Sequence, residues 1–166
     1  MLTKKVEKAM NDQLAVELES AYAYLAMSAY CESESLPGCA GWLRHQATEE
    51  VDHAMRFYSF ISDRDGRIAL RGLPQPREKY SSLLEVFEQA LEHERSVTRS
   101  ISDLYGLVVD EKDYAAQAWL DWFATEQVEE EKSVGHIVDS LRRIGDRGDL
   151  LFLLDKDLGE RSGAES

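Results

Sequence analysis

The chain has 166 residues, 43% of them hydrophobic and 31% charged, a length that suits one domain able to bury about 70% of its unfolded surface without staples. Its 32 acidic residues against 19 basic ones leave a formal net charge of −13, which repels nucleic acid and anionic membranes and attracts cations. The only cysteines, Cys31 and Cys39, form no CxxC pair, which excludes a rubredoxin-type or zinc-ribbon site.

Met1-Leu2-Thr3-Lys4-Lys5 is followed by no secretory h-region, and no apolar run approaches the ~20 residues of a membrane span, so the expected location is the cytoplasm, with both thiols reduced. Only three prolines occur, Pro37, Pro74 and Pro76, and the long stretches between connections carry helical apolar spacing. The spacing predicts a first helix over about 3–33, ended by the loop 34–38, and a second over about 40–65, stopped near Gly66. Residues 68–81, with two prolines and little periodicity, read as a crossover, long for a bundle connection. A third helix follows over about 82–107, a turn at 110–113, and a fourth helix over about 114–144, broken by Gly145 and Gly148. A short fifth helix over about 149–158 precedes a polar tail, 159–166. The predicted class is all-α: a four-helix bundle with two short hairpins, one long crossover and a short C-terminal helix, forming one domain over 1–158.

The informative residues interrupt the apolar stripes. The first helix reads Met10, Leu14, Glu17, Ala21, Tyr24, Ser28, and the second Leu43, Ala47, Glu50, Ala54, Phe57, Ile61. The third reads Leu84, Phe87, Leu91, Glu94, Thr98, Ile101, and the fourth Ala116, Leu120, Phe123, Gln127, Glu130, Val134, Ile137, Leu141. Each seam that faces its neighbours thus carries a carboxylate near mid-helix. A lone buried carboxylate is very costly, so such groups are normally paired or bound to metal. One misplaced glutamate is an ordinary phase error; four at one level are not. His53 follows Glu50 by three residues and shares its helix face. Carboxylates with one imidazole make a hard, oxygen-rich site suited to iron or manganese, with Glu50 and Glu130 best placed to bridge two ions.

Tyr24 lies on the stripe of Glu17 and reads either as packing or as a hydrogen-bonding or redox-active phenol beside the metals. The acidic run Glu126-Gln127-Val128-Glu129-Glu130-Glu131, with Glu49 beside Glu50, offers a further cation position. His45, His93 and His136 read as surface or core-edge residues, and Trp42, Trp119 and Trp122 as packing. Replacing Glu94 with Leu is expected to leave metal-free stability equal or higher, because it relieves one like charge. The apolar segment Leu150 to Leu154 is expected to pack between subunits.

Three stretches resemble the bacterial non-haem ferritins: Leu14 to Tyr24, Glu49 to Ala54, and Glu126 to Glu131; the final Leu150-Leu151-Phe152-Leu153-Leu154-Asp155-Lys156 matches as well. The resemblance covers about 2–158 and makes 1–158 a ferritin-like di-iron domain. It implies a ferroxidase centre that oxidises Fe(II) with O2 or H2O2 and stores ferric mineral in a hollow shell of twenty-four subunits. Glu17, Glu50 and His53 would hold the first iron, and Glu50, Glu94 and Glu130 the second, with Gln127 nearby as a hydrogen-bonding partner. Glu49, Glu126, Glu129 and Glu130 would hold a third. Bacterioferritins carry a haem-ligating methionine after the second-helix glutamate; Val51 stands there, so no haem is expected. The channel acids of animal ferritins have Gln117 and Leu120 at the corresponding places.

Overall fold

The computed structural model describes residues 1–164, with side chains through 161; positions 165–166 of the predicted tail lie outside the described residues. Five helices follow in order: α1 (Lys4–Ser33), α2 (Pro37–Asp63), α3 (Leu83–Asp110), α4 (Tyr114–Ile144) and α5 (Gly148–Ala164), with no strand among the described residues. Side-chain caps start three of them: Thr3 Oγ1 accepts from the Val6 amide, Ser82 Oγ from that of Glu85, and an Asp113 carboxylate oxygen from that of Ala116. Pro37, expected in a loop, opens α2 instead, because its fixed φ suits a first helical turn and its missing N–H is not needed there. α3 runs on to Asp110, and α5 continues through the stretch read as a tail.

Two apolar clusters show how the helices run. One takes the C-terminal half of α1, the N-terminal halves of α2 and α3 and the C-terminal half of α4, including Tyr24, Leu43, Phe87 and Val134. The other takes the opposite ends, including Met10, Phe57, Ile101 and Phe123. α2 and α3 are therefore parallel, which obliges the chain over 64–82 to travel the length of the bundle. That crossover is tied to α1: Asn11 Nδ2 donates to the Arg67 carbonyl at 2.9 Å, and Asn11 Oδ1 accepts from the Ala69 amide at 2.7 Å.

The predicted seams of α1, α2 and α4 are buried throughout. On α3 the leucines at 84 and 91 and Thr98 are only half-buried, while Val86, Ala90 and Val97 fill the core. The stripe lies slightly to one side of the leucines that suggested it.

α5 docks on its own bundle. Leu151, Leu154 and Leu158 pack on the first cluster, while Phe152 and Leu153 stay 69% and 58% exposed. The dock depends on a close approach at Gly38, where a Cβ would lie 1.7 Å from the Asp155 carbonyl oxygen. Asp155 also accepts from the Cys39 amide at 2.8 Å, placing a carboxylate at the N-terminus of α2, where the helix dipole favours it. Gly38→Ala should therefore push α5 away and destabilise the subunit by about 1–3 kcal/mol. Hydrogen exchange should rise over α5 while the four long helices keep their protection. Unchanged exchange in α5 would show that the contact yields without undocking.

Candidate metal centre

Between the two apolar clusters lies a polar layer. Glu17, Glu50, His53, Glu94, Gln127 and Glu130 are all buried, none more than 6% exposed. Among the described residues no Cα of α2 comes within 8 Å of one in α4. Aromatic side chains and this layer fill the interval: Phe57 meets Trp119 at 4.9 Å between ring centroids, and Trp119 meets Phe123 at 5.0 Å.

α1 and α2 supply the first half of the site. Gln13, one turn before Glu17, donates to Glu17 Oε1 at 2.9 Å. Glu17 Oε2, Glu50 Oε2 and His53 Nδ1 are buried and have no hydrogen-bond partner within the protein. His53 Nδ1 lies 3.8 Å from Glu50 Oε2, and one donor atom from each of Glu17, Glu50 and His53 falls within 4.8 Å of the others. Buried acceptors are normally satisfied, so their convergence marks a place built for a cation. The His53 ring is set by edge contacts with Trp122, at 5.4 Å and 77°, and Phe123, at 5.9 Å.

α3 and α4 supply the second half. His53, Glu126 and Glu130 form another group whose donor atoms lie within 4.8 Å. Glu94 is wholly buried but well partnered: the Tyr24 hydroxyl donates to Oε1 and Gln127 Nε2 to Oε2 at 3.2 Å. The same Gln127 amide reaches the Glu94 carbonyl and Thr98 Oγ1, both at 3.3 Å.

Electrostatics follow from crowding. Burial, then the neighbouring Glu50 charge, raises the Glu17 carboxyl well above its ordinary range; burial and Glu94 do the same to Glu50. Burial also raises Glu94, against the lowering effect of the Tyr24 and Gln127 hydrogen bonds. Glu130 is pushed up to about 8 by burial and by the Glu94 and Glu49 charges. The Tyr24 phenol is raised well above its normal value by burial and by Glu94, so it stays protonated and keeps donating.

Glu49, Glu126, Glu129 and Glu130 line one cavity of about 280 Å3 between α2 and α4, together with His45, Gln46, Ser133 and His136. Of these four carboxylates, Glu126 and Glu130 belong to a close donor group, and Glu49 and Glu129 join none among the described residues. Trp119 and Trp122 pack as expected, but His45 and His136, read as bystanders, reach the acidic cavity. Sequence reasoning passed over Gln13, whose spacing of four from Glu17 was the available signal, and Gln46, which carried none. Leu120 is fully buried, whereas Gln117 donates to the Tyr105 hydroxyl at 3.3 Å.

A bundle with one long crossover, α2 and α3 parallel, and a carboxylate-rich layer in its interior has the ferritin-like arrangement. The family model for ferritin, described as a ferritin-like domain, matches residues 7–144, and the chain belongs to that family. It is 41% identical over 162 residues to a protein named bacterial non-heme ferritin from Staphylococcus aureus (strain USA300), covering 98% of both chains. The counterpart from Staphylococcus haemolyticus is 40% identical with the same coverage. Among solved structures, an open-pore ferritin from the hyperthermophilic archaeon Archaeoglobus fulgidus superposes with a TM-score of 0.95 at 41% identity, covering 96% of this chain and 98% of that one.

Two predictions concern the metal-free protein. Glu94→Leu, expected from sequence to be neutral or stabilising, should instead cost about 1–3 kcal/mol, because it leaves the buried Tyr24 hydroxyl without an acceptor. Glu50 Oε2 accepts from no protein donor, so Glu50→Leu strands no partner there and removes a like charge, and it should leave stability equal or raise it by about 1–4 kcal/mol. Urea midpoints in chelator compare the two variants, and the reverse order would show that Glu50 is the structural member.

The second prediction is the pH dependence. Glu130 binds its proton more tightly folded than unfolded, so its contribution is complete below about pH 4.5 and lost as pH rises through about 8. His93, held below its usual value by burial, is already neutral above about pH 7 in both states. From about pH 7 to 8, metal-free stability should fall by up to about 1.4 kcal/mol per unit from this one group. A flat profile in chelator would mean that the carboxyl is hydrated.

Proposed function

We propose that the protein is an iron-storage ferritin subunit that oxidises Fe(II) at the carboxylate layer and passes Fe(III) into a ferric mineral inside a cage. The observation that carries this reading is that Glu17, Glu50 and His53 bring one donor atom each within 4.8 Å of the others, and that each of the three has a buried atom without a hydrogen-bond partner. Ferrous ion is the substrate. Glu17, Glu50 and His53 hold one ion; Glu50, Glu94 and Glu130 hold the other, with Gln127 orienting Glu94. Each ferrous ion gives up one electron, and dioxygen takes two electrons and two protons to leave as hydrogen peroxide; peroxide as oxidant takes two electrons and two protons to give water. Carboxylates favour the harder ferric ion once it forms.

Tyr24 holds Glu94 through its hydroxyl, which supports a positioning role for the phenol at the second ion. The adjoining cavity carries four carboxylates against one guanidinium, Arg161, with Trp42 and Ile137 its apolar lining, and that net negative charge supports a cation as the passenger. Glu49, Glu126, Glu129 and Glu130 make that cavity a station for a third iron on the way inward. Outward-facing Tyr22 and Leu25 on α1 and Phe152 and Leu153 on α5 support burial against further copies, consistent with a shell of twenty-four subunits. No described helix is long and apolar enough to cross a membrane, which accords with a cytoplasmic place for the particle.

Metal-free protein given Fe(II) in air, with no organic substrate, should consume O2 in proportion to iron. His53→Ala and Glu17→Gln should each slow the rapid phase by about 10–100-fold or more. Light scattering on the native protein should give a large multi-subunit particle. Parental oxidation rates in both variants would remove the centre from this layer, and a monomer would remove the cage.

A further inference from the structure

The acidic cavity contains one group that neither the paired centre nor the helix packing uses. Gln46 of α2 lines it and is only 5% exposed. Its Nε2 donates to Glu49 Oε2, but its Oε1 is buried with no hydrogen-bond partner within the protein. It is the one such atom, among the described residues, that lies outside the Glu17–Glu50–His53 convergence. A buried amide oxygen without a donor is an acceptor held ready for something positive. Its surroundings are acidic on balance: Glu49, Glu126, Glu129 and Glu130 share the cavity with one guanidinium, Arg161, which makes no hydrogen bond to the Gln46 oxygen, and Glu126 and Glu130 also come close to His53, so the cavity adjoins the paired centre.

Resting on the third-iron reading above, we propose that Gln46 is itself a ligand in this cavity. Oε1 coordinates the cation, while the amide N–H holds Glu49 to coordinate beside it. His45 steadies the same carboxylate from the other oxygen, with Nε2 at 3.7 Å from Glu49 Oε1. An amide oxygen is a hard donor suited to iron, yet it is neutral. It replaces a water in the coordination shell without adding another negative charge to a cavity that already holds four carboxylates. Such a site binds less tightly than an all-carboxylate cage, which suits an ion in transit. Glu49 and Glu129 have side chains 36% and 63% exposed, Glu129 pairing with Lys132 at 3.5 Å, so both carboxylates reach the cavity from its solvent side.

The test is anaerobic calorimetric titration of the assembled metal-free protein with Fe(II). Gln46→Met keeps the shape and removes both the oxygen and the donor; Gln46→Glu keeps an oxygen and removes the donor; Glu49→Ala reports on the third site alone. The parent should bind ferrous ion beyond the pair. Gln46→Met should weaken that last step by about tenfold or more with the pair still filled, and Gln46→Glu should retain or tighten it. An unchanged last step in Gln46→Met, where Glu49→Ala abolishes it, overturns the ligand role and leaves the third-iron reading standing. Equal loss in Gln46→Met and Gln46→Glu also overturns it, since the amide then acts only through Glu49. No binding beyond the pair in the parent overturns the third-iron reading and this proposal together. Metal-free melting temperatures of the variants confirm that each is folded when titrated.

Discussion

Four carboxyl groups, Glu17, Glu50, Glu94 and Glu130, occupy one level of the bundle interior, and they cannot all be charged there without a cation. Much of the local architecture answers that constraint. Gln13 and Gln127 spend amide donors on Glu17 and Glu94, and Tyr24 spends its hydroxyl on Glu94. Among the described carboxylates, the fully buried oxygens that remain without a partner are Glu17 Oε2 and Glu50 Oε2, on the two glutamates grouped with His53. The aromatic side chains of α2 and α4 keep the two backbones apart, so the layer keeps its width below the level of the carboxylates. The division of the core into two apolar clusters is the same fact seen from outside the layer.

The seam glutamates were legible because a charge on an apolar stripe is anomalous, and the anomaly repeated on four helices. Helix existence and order were legible for the same reason, that long proline-free periodic segments have few alternatives. The phase of α3 was less so, because Leu84 and Leu91 carry more apparent hydrophobicity than Ala90 and yet flank the core that Ala90 enters. The hydrogen bonds that turn the expected effect of Glu94→Leu around were not legible, because Tyr24 and Gln127 come from other helices and no periodicity within α3 announces them. Gln46 resembles any polar residue on a helix until its burial and its missing partner are seen together.

Connections matter as much as seams. The crossover fixes α2 and α3 parallel, and the bidentate pair between Arg64 and Asp113, both contacts at 3.0 Å, ties the end of α2 to the start of α4. At the other end, Asp155 and Gly38 bring α5 against α2. The two ends of the bundle are thus fastened by polar contacts outside the carboxylate layer, and the helices need not be held by the layer itself.

The split core also has a mechanical side. Each apolar cluster coheres by itself, and the plane between them holds polar side chains in place of apolar contacts. On the proposed function, an ion held by residues of α1, α2, α3 and α4 together would act across that plane as a rivet, and the chain would be stiffest when carrying its cargo. Loading and rigidity then rise and fall together, so an empty subunit is the compliant one and a filled subunit the hard one.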